Sequence, residues 1–170
     1  MDKLGLALDN DQTPLTDADH LYLLLSLRPP YYYQMKAGTK RYEYRRRFVS
    51  RPCTCFLYLS TTPLDPLSSN VPARVEFGRP IIEHPSKIGE LAEQQRPGSS
   101  ASILAYLAGL DCGYAIPVLS VTDIEPVPLD ELRRHHPTFT APQSYLVLNN
   151  FPELLRVLMT RSPAAPSRER

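Results

Sequence analysis

Lys40, Glu43 and Arg45 fall within a run, Lys36 to Arg51, that holds seven of the chain's 19 Lys and Arg residues against a single acid. The whole chain carries a formal net charge of only +1, so this local excess sets up a field for an anion that the average charge hides. Tyr31, Tyr32 and Tyr33 precede the run, and Tyr42 and Tyr44 lie inside it. Cations interleaved with flat rings suit a single-stranded nucleic acid, with phosphates on the first and bases on the second. Lys40 and Glu43 could also be a reacting pair, with the carboxylate as general base. Residues three apart on a regular strand face opposite ways. Both therefore reach one cleft only if Lys40 lies in the turn before the strand. A strand with a solvated cationic face is the plainer reading of the same residues.

Other reactive types give less. Cys53, Cys55 and Cys112 are an odd number and too few for a disulfide framework, which suggests a reducing, cytoplasmic setting. Cys-x-Cys without a second Cys or His pair is poor zinc spacing, so the two thiols read as packing residues on one strand face. His135-His136 reads as a solvated helix end, with no metal implied. Ser144 lacks the Gly-x-Ser-x-Gly setting of a hydrolase nucleophile. No cofactor is expected.

The elements that must position these residues are short. Eighteen prolines in 170 residues rule out long helices and favour strands and turns. No apolar run is long enough to span a bilayer, so no membrane association is expected. Residues 1–19, with five Asp and one Lys, read as an acidic flexible arm, residues 20–160 as one domain, and residues 161–170 as a disordered tail. Leu21–Leu27 reads as a buried strand stopped by Pro29-Pro30. A short helix over Tyr31–Ala37 follows, closed by Gly38. Its three successive tyrosines point about 100° apart, so one core face cannot bury all of them. Alternation from Lys40 puts Tyr42 and Tyr44 on one strand face and Arg41, Glu43 and Arg45 on the other.

Thr54–Ser60 and Ala73–Gly78 read as further strands, with a bulge or bend at Gly78-Pro80. Ser86 is the expected cap of a helix running to about Gln95. Ser100–Leu110 reads as a second helix. Gly113–Val121 reads as a strand that Pro117 confines to an edge. Leu129–His135 reads as a short helix, Tyr145–Leu148 as a last strand and Glu153–Met159 as a C-terminal helix.

Three segments in this order, Ser26-Leu27-Arg28-Pro29, Gly38-Thr39-Lys40-Arg41-Tyr42-Glu43-Tyr44-Arg45 and Pro142-Gln143-Ser144, resemble the ASCH group of the PUA-like superfamily over roughly residues 21–148. The resemblance implies an α+β fold, a small PUA-like β-barrel of about five to six strands with peripheral helices. It also implies a cleft lined by these segments, and partners among RNA, tRNA or modified nucleosides. On that basis Lys40, Arg45 and either Arg46 or Arg47 would take phosphates, with Arg28 and Thr39 beside them. Tyr31 and Tyr33 would offer stacking rings, and Gln143 with Ser144 would read a base edge. The alternative is an enzyme acting through Lys40 and Glu43 on a modified nucleoside or on the acyl group of aminoacyl-tRNA, as a transferase or hydrolase. One ASCH branch that deacetylates acetylated cytidine has Lys and Thr three apart in this segment. Lys40 matches the Lys, but Glu43 stands where the Thr would be, and a carboxylate cannot replace that hydroxyl without a change of mechanism.

Overall fold

Tyr22–Leu27 (β1) and Cys53–Leu59 (β3) are nearly continuous apolar runs because both of their faces are covered. They pair in parallel, Tyr22 opposite Thr54 through Leu27 opposite Leu59. The computed structural model describes residues 19–163. The rest of the expected acidic arm, and the tail beyond 163, lie outside the described residues. Arg161 pairs with Glu131, and Ser162 and Pro163 meet the strand Gly113–Pro128 through the Glu125 N–H and a bridge to Ile124.

The other elements are Pro29–Lys36 (α1), Tyr42–Arg45 (β2), Asn70–Phe77 (β4), Ile81–Glu83 (β5), Pro85–Gln95 (α2), Ser100–Tyr106 (α3), Gly113–Pro128 (β6), Leu129–His135 (α4), Tyr145–Val147 (β7) and Pro152–Met159 (α5). The strands form one sheet in the order β2-β6-β4-β3-β1-β7, with β5 also on β6. The fold is α+β, as expected. Its seven strands exceed the expected five to six because the bend at Gly78-Pro80 makes a separate strand of β5.

The sheet curls into a half-barrel. β2 and β1 are separated by β6, β4 and β3 along the hydrogen-bonded path. Yet the Arg45 guanidinium of β2 donates to the Ser26 carbonyl of β1 at 2.9 Å. The concave side holds Leu23, Leu25, Leu27, Cys55, Leu57, Val75 and Ile116, closed by Tyr32 and Met35 of α1. The convex side, with Leu24, Phe56, Tyr58 and Val127, is covered by Leu132 of α4 and Leu154 and Leu158 of α5. A third cluster, Ile88, Leu107 and Ala115, seats the α2–α3 hairpin on Tyr42 and Tyr44.

Three expectations need correction. β6 is not an edge strand at Pro117: its first half lies between β2 and β5, with Ala115 opposite both Tyr44 and Ile81. The missing N–H of Pro117 is tolerated because neighbouring groups keep the sheet joined, Val118 N–H to the Arg41 carbonyl and Gly78 N–H to the Pro117 carbonyl, each at 2.9 Å. His84, not Ser86, caps α2: its Nδ1 accepts the Ser86 N–H at 3.2 Å. α3 ends at Tyr106, and Gly109 takes a positive φ of 79° in the turn that follows. Among the described residues, no helix is long and apolar enough to cross a membrane.

Candidate functional site

Thr39-Lys40-Arg41 lies in the connection between α1 and β2, so Lys40 approaches from a turn and not from the strand. Pro29 and Pro30 start α1, and Gly38 at φ 76° releases the chain from it. The Thr39 and Lys40 N–H groups both donate to the Gln34 carbonyl at 3.0 Å, which fixes that turn. The result is a three-member ion cluster. Glu43, only 6% exposed, accepts from Arg45 Nε at 2.9 Å on one oxygen, and Lys40 Nζ stands 3.3 Å from the other. The geometric condition for Lys40 and Glu43 to share one cleft is thus met.

Lys40 Nζ also lies 5.1 Å from the centroid of the Tyr31 ring and 5.2 Å from that of Tyr44. Both are within cation–π range. Burial, with Tyr42 and Glu43 alongside, pushes the Tyr44 phenol up to about 12. Tyr42 and Tyr44 stack at 6.4 Å. Of the three tyrosines on α1, Tyr32 is buried and donates to Asp123 of β6 at 2.6 Å, whereas Tyr31 and Tyr33 are about 40% exposed.

The cluster sits in a cavity of about 460 Å³. One side is the end of β1, Ser26-Leu27-Arg28, with Tyr31 and Gln34 of α1. The second is Thr39 through Arg45. The third is the α2–α3 hairpin, contributing Gln95, Arg96, Ser99, Ser102 and Tyr106. Beyond its apolar seat, polar contacts also fix that hairpin. The Arg46 guanidinium donates to the Tyr106 carbonyl at 2.6 Å. The Glu93 carboxylate accepts the Gly98 and Ser100 N–H groups at 2.8 and 3.0 Å, and these bonds lower its pKa.

Of the residues nominated from sequence, Arg28, Tyr31, Thr39, Lys40, Glu43 and Arg45 line this one cavity. Tyr33, Arg47, Gln143 and Ser144 do not line it. The Tyr33 hydroxyl donates to Asp65 at 3.2 Å. Arg47 is exposed. Gln143 and Ser144 are exposed just before β7 and, by its antiparallel register with β1, lie toward the end of β1 that leads to the cavity. The hairpin wall was missed, Arg96 above all. Its only local signal is Arg-Pro-Gly between two helical patterns, which announces a turn and not a site.

No protein-family model matches this sequence, and no curated protein matches it either. Solved structures do. An ASCH protein from Zymomonas mobilis superposes with a TM-score of 0.68 at 20% identity, covering 83% of this chain and 96% of that one. A serine-to-alanine mutant of that protein gives the same TM-score at 19% identity over 83% of this chain and 96% of its own. The N-terminal domain of Staphylothermus marinus McrB superposes with a TM-score of 0.50 at 8% identity, over 79% of this chain and 93% of that domain. At such identities the similarity establishes the fold: this chain has the α+β architecture of the ASCH structures.

Proposed function

We propose that the chain is a PUA-like RNA-binding module, with tRNA among its candidate partners, that takes one nucleotide of a single strand into the cavity beside Lys40, Glu43 and Arg45. The carrying observation is the cavity itself. Its volume, about 460 Å³, is within the range of small-ligand sites. Tyrosines 31, 42, 44 and 106 line it, and a carboxylate lies between two cations inside it. Tyr31, part exposed and already held against Lys40, offers a ring on which a base can stack. Each Glu43 oxygen keeps acceptor capacity after meeting its cation, so the carboxylate can receive an N–H from a base edge.

Affinity for a short single-stranded RNA of mixed sequence, followed by fluorescence anisotropy, tests this reading. Tyr31→Ala is expected to weaken binding by about 1–3 kcal/mol, the worth of one stacked base. Wild-type protein that binds no single-stranded RNA at low salt would end the proposal.

The 3.3 Å approach of Lys40 to Glu43 inside the cavity also supports a second reading, an enzyme that transfers or hydrolyses an acyl group on a nucleoside or on aminoacyl-tRNA. Incubation with modified nucleosides and aminoacyl-tRNA, followed by mass spectrometry, separates the two. Turnover lost in Lys40→Met and in Glu43→Gln would favour the enzyme; RNA binding without turnover favours the module.

A further inference from the structure

We infer that Arg28, Arg41 and Arg96 form a phosphate clamp around this cavity. The ligand is then a nucleotide held by its backbone phosphate and not a bare nucleoside. The inference rests on the RNA-binding reading and adds to it which residues meet the backbone.

The basic run suggests Lys40 and Arg45 for that task, but both already face Glu43, and Arg45 donates to the Ser26 carbonyl as well. Arg46 is engaged with the Tyr106 carbonyl, and Arg47 and Arg51 do not line the cavity. The lining holds three more cations. Arg28 is the N-cap residue of α1, Arg41 directly precedes β2, and Arg96 is the C-cap residue of α2. All three are exposed. Among the described residues, none of their guanidinium groups has a hydrogen-bonding or ion-pair partner.

Acids elsewhere on the surface do find cations, as Asp130 finds Arg134 and Glu153 finds Arg156. Around the cavity, the one lining carboxylate, Glu43, is already shared by Lys40 and Arg45. Three unneutralised forks from three separate elements at one concavity suit phosphate oxygens, which guanidinium binds in bidentate fashion.

Their backbones are fixed in advance. The Arg28 carbonyl accepts the Tyr31 N–H at 3.1 Å, and the Arg41 carbonyl accepts the Val118 N–H at 2.9 Å. The Arg96 N–H donates to the Ala92 carbonyl at 2.8 Å, and its carbonyl accepts from the Ser99 hydroxyl at 2.7 Å. Only side-chain freedom is lost when a phosphate arrives.

The test compares wild type with R28Q/R41Q/R96Q and with R47Q/R51Q, whose arginines belong to the same basic run but lie outside the cavity. Probes are a short single-stranded RNA, nucleoside monophosphates and the matching nucleosides, each titrated across a salt series. Circular dichroism verifies that the variants are folded. Each phosphate neutralised on a single strand adds about 0.7 to the slope of log affinity against log salt, so the triple variant, which gives up the one clamped phosphate, is expected to lose about 0.7 from that slope. R47Q/R51Q is expected to lose much less, and wild type to prefer the monophosphate to its nucleoside. The clamp is overturned, with the RNA-binding reading intact, if wild type binds RNA and the triple variant matches it in affinity and slope. The same holds if R47Q/R51Q loses as much, or if nucleoside and monophosphate bind equally. Wild type that binds none of the probes overturns both.

Discussion

Glu43 is almost withdrawn from water with one cation against each oxygen, so removing its charge leaves Lys40 and Arg45 facing each other uncompensated. Glu43→Gln keeps the shape and is expected to destabilise the fold by about 3 kcal/mol, the lower end of the cost of breaking a buried pair from one side. Urea unfolding measures it, and a loss below ~1 kcal/mol would mean that the cluster is solvated. Tyr44 makes a prediction about pH. Its phenol is raised to about 12, and that of Tyr32 is raised further by burial and by its bond to Asp123. An unfolded tyrosine ionises near 10, so above that pH the unfolded chain holds fewer protons than the native one. The contribution of these two phenols to stability is therefore fully present below pH ~10 and is lost as pH rises through the native values. Phenolate absorbance should show a late-titrating class that Tyr44→Phe reduces. If all tyrosines titrate together near 10 in the folded protein, the ring of Tyr44 is not enclosed.

The α2–α3 hairpin is the element on which the third wall depends, and Gly113 sets how closely it packs. A Cβ on Gly113, at the start of β6, would stand 2.6 Å from Leu107 Cδ1, and Leu107 is fully buried beneath the hairpin. Gly113→Ala is expected to cost about 1–3 kcal/mol as overpacking and to push α3 outward, displacing Ser102 and Tyr106 from the wall. Leu107→Val on that background should recover part of the stability, as melting of the single and double variants would show. No recovery would mean that the cost arises from the β6 backbone instead. At this scale much was legible from sequence. β1 and β3 announce themselves as apolar runs, and α1 by Pro-Pro at its start and Gly38 past its end. Pro117 misled because a proline inside an alternating run signals an edge. Here β6 is paired on both sides, and the absent N–H is covered by bonds from Val118 and Gly78, one of which comes from a segment distant in the chain. His84 as cap was unreadable because Ser86, the usual type of cap, stood two residues away.

What no local pattern could show is the closure of the whole molecule. Lys40, Glu43 and Arg45 were legible because they lie within one short segment; Arg96 was not, since it reaches the cavity only through a hairpin some fifty residues downstream. The curl itself depends on strands at distant places in the sheet order, and Arg45 is the side chain that joins them. Its Nε meets Glu43 and its Nη2 meets the Ser26 carbonyl, each at 2.9 Å. Two donors held at a fixed angle on one planar group satisfy two acceptors on two strands, which a single ammonium nitrogen cannot reproduce. Arg45→Lys is therefore expected to lose about 1–3 kcal/mol although the charge is retained, since one charge-assisted bond must go. Arg45→Met should lose more, because the Ser26 carbonyl and one Glu43 oxygen are both left without a donor. Amide exchange localises the effect. Protection should fall first in β2 and at the end of β1 near Ser26, while β3 and β4, each paired on both sides within the sheet, keep theirs. If Arg45→Lys is as stable as wild type and exchange is unchanged at both strands, the seam is held by the apolar interior alone and the curl owes nothing to this arginine.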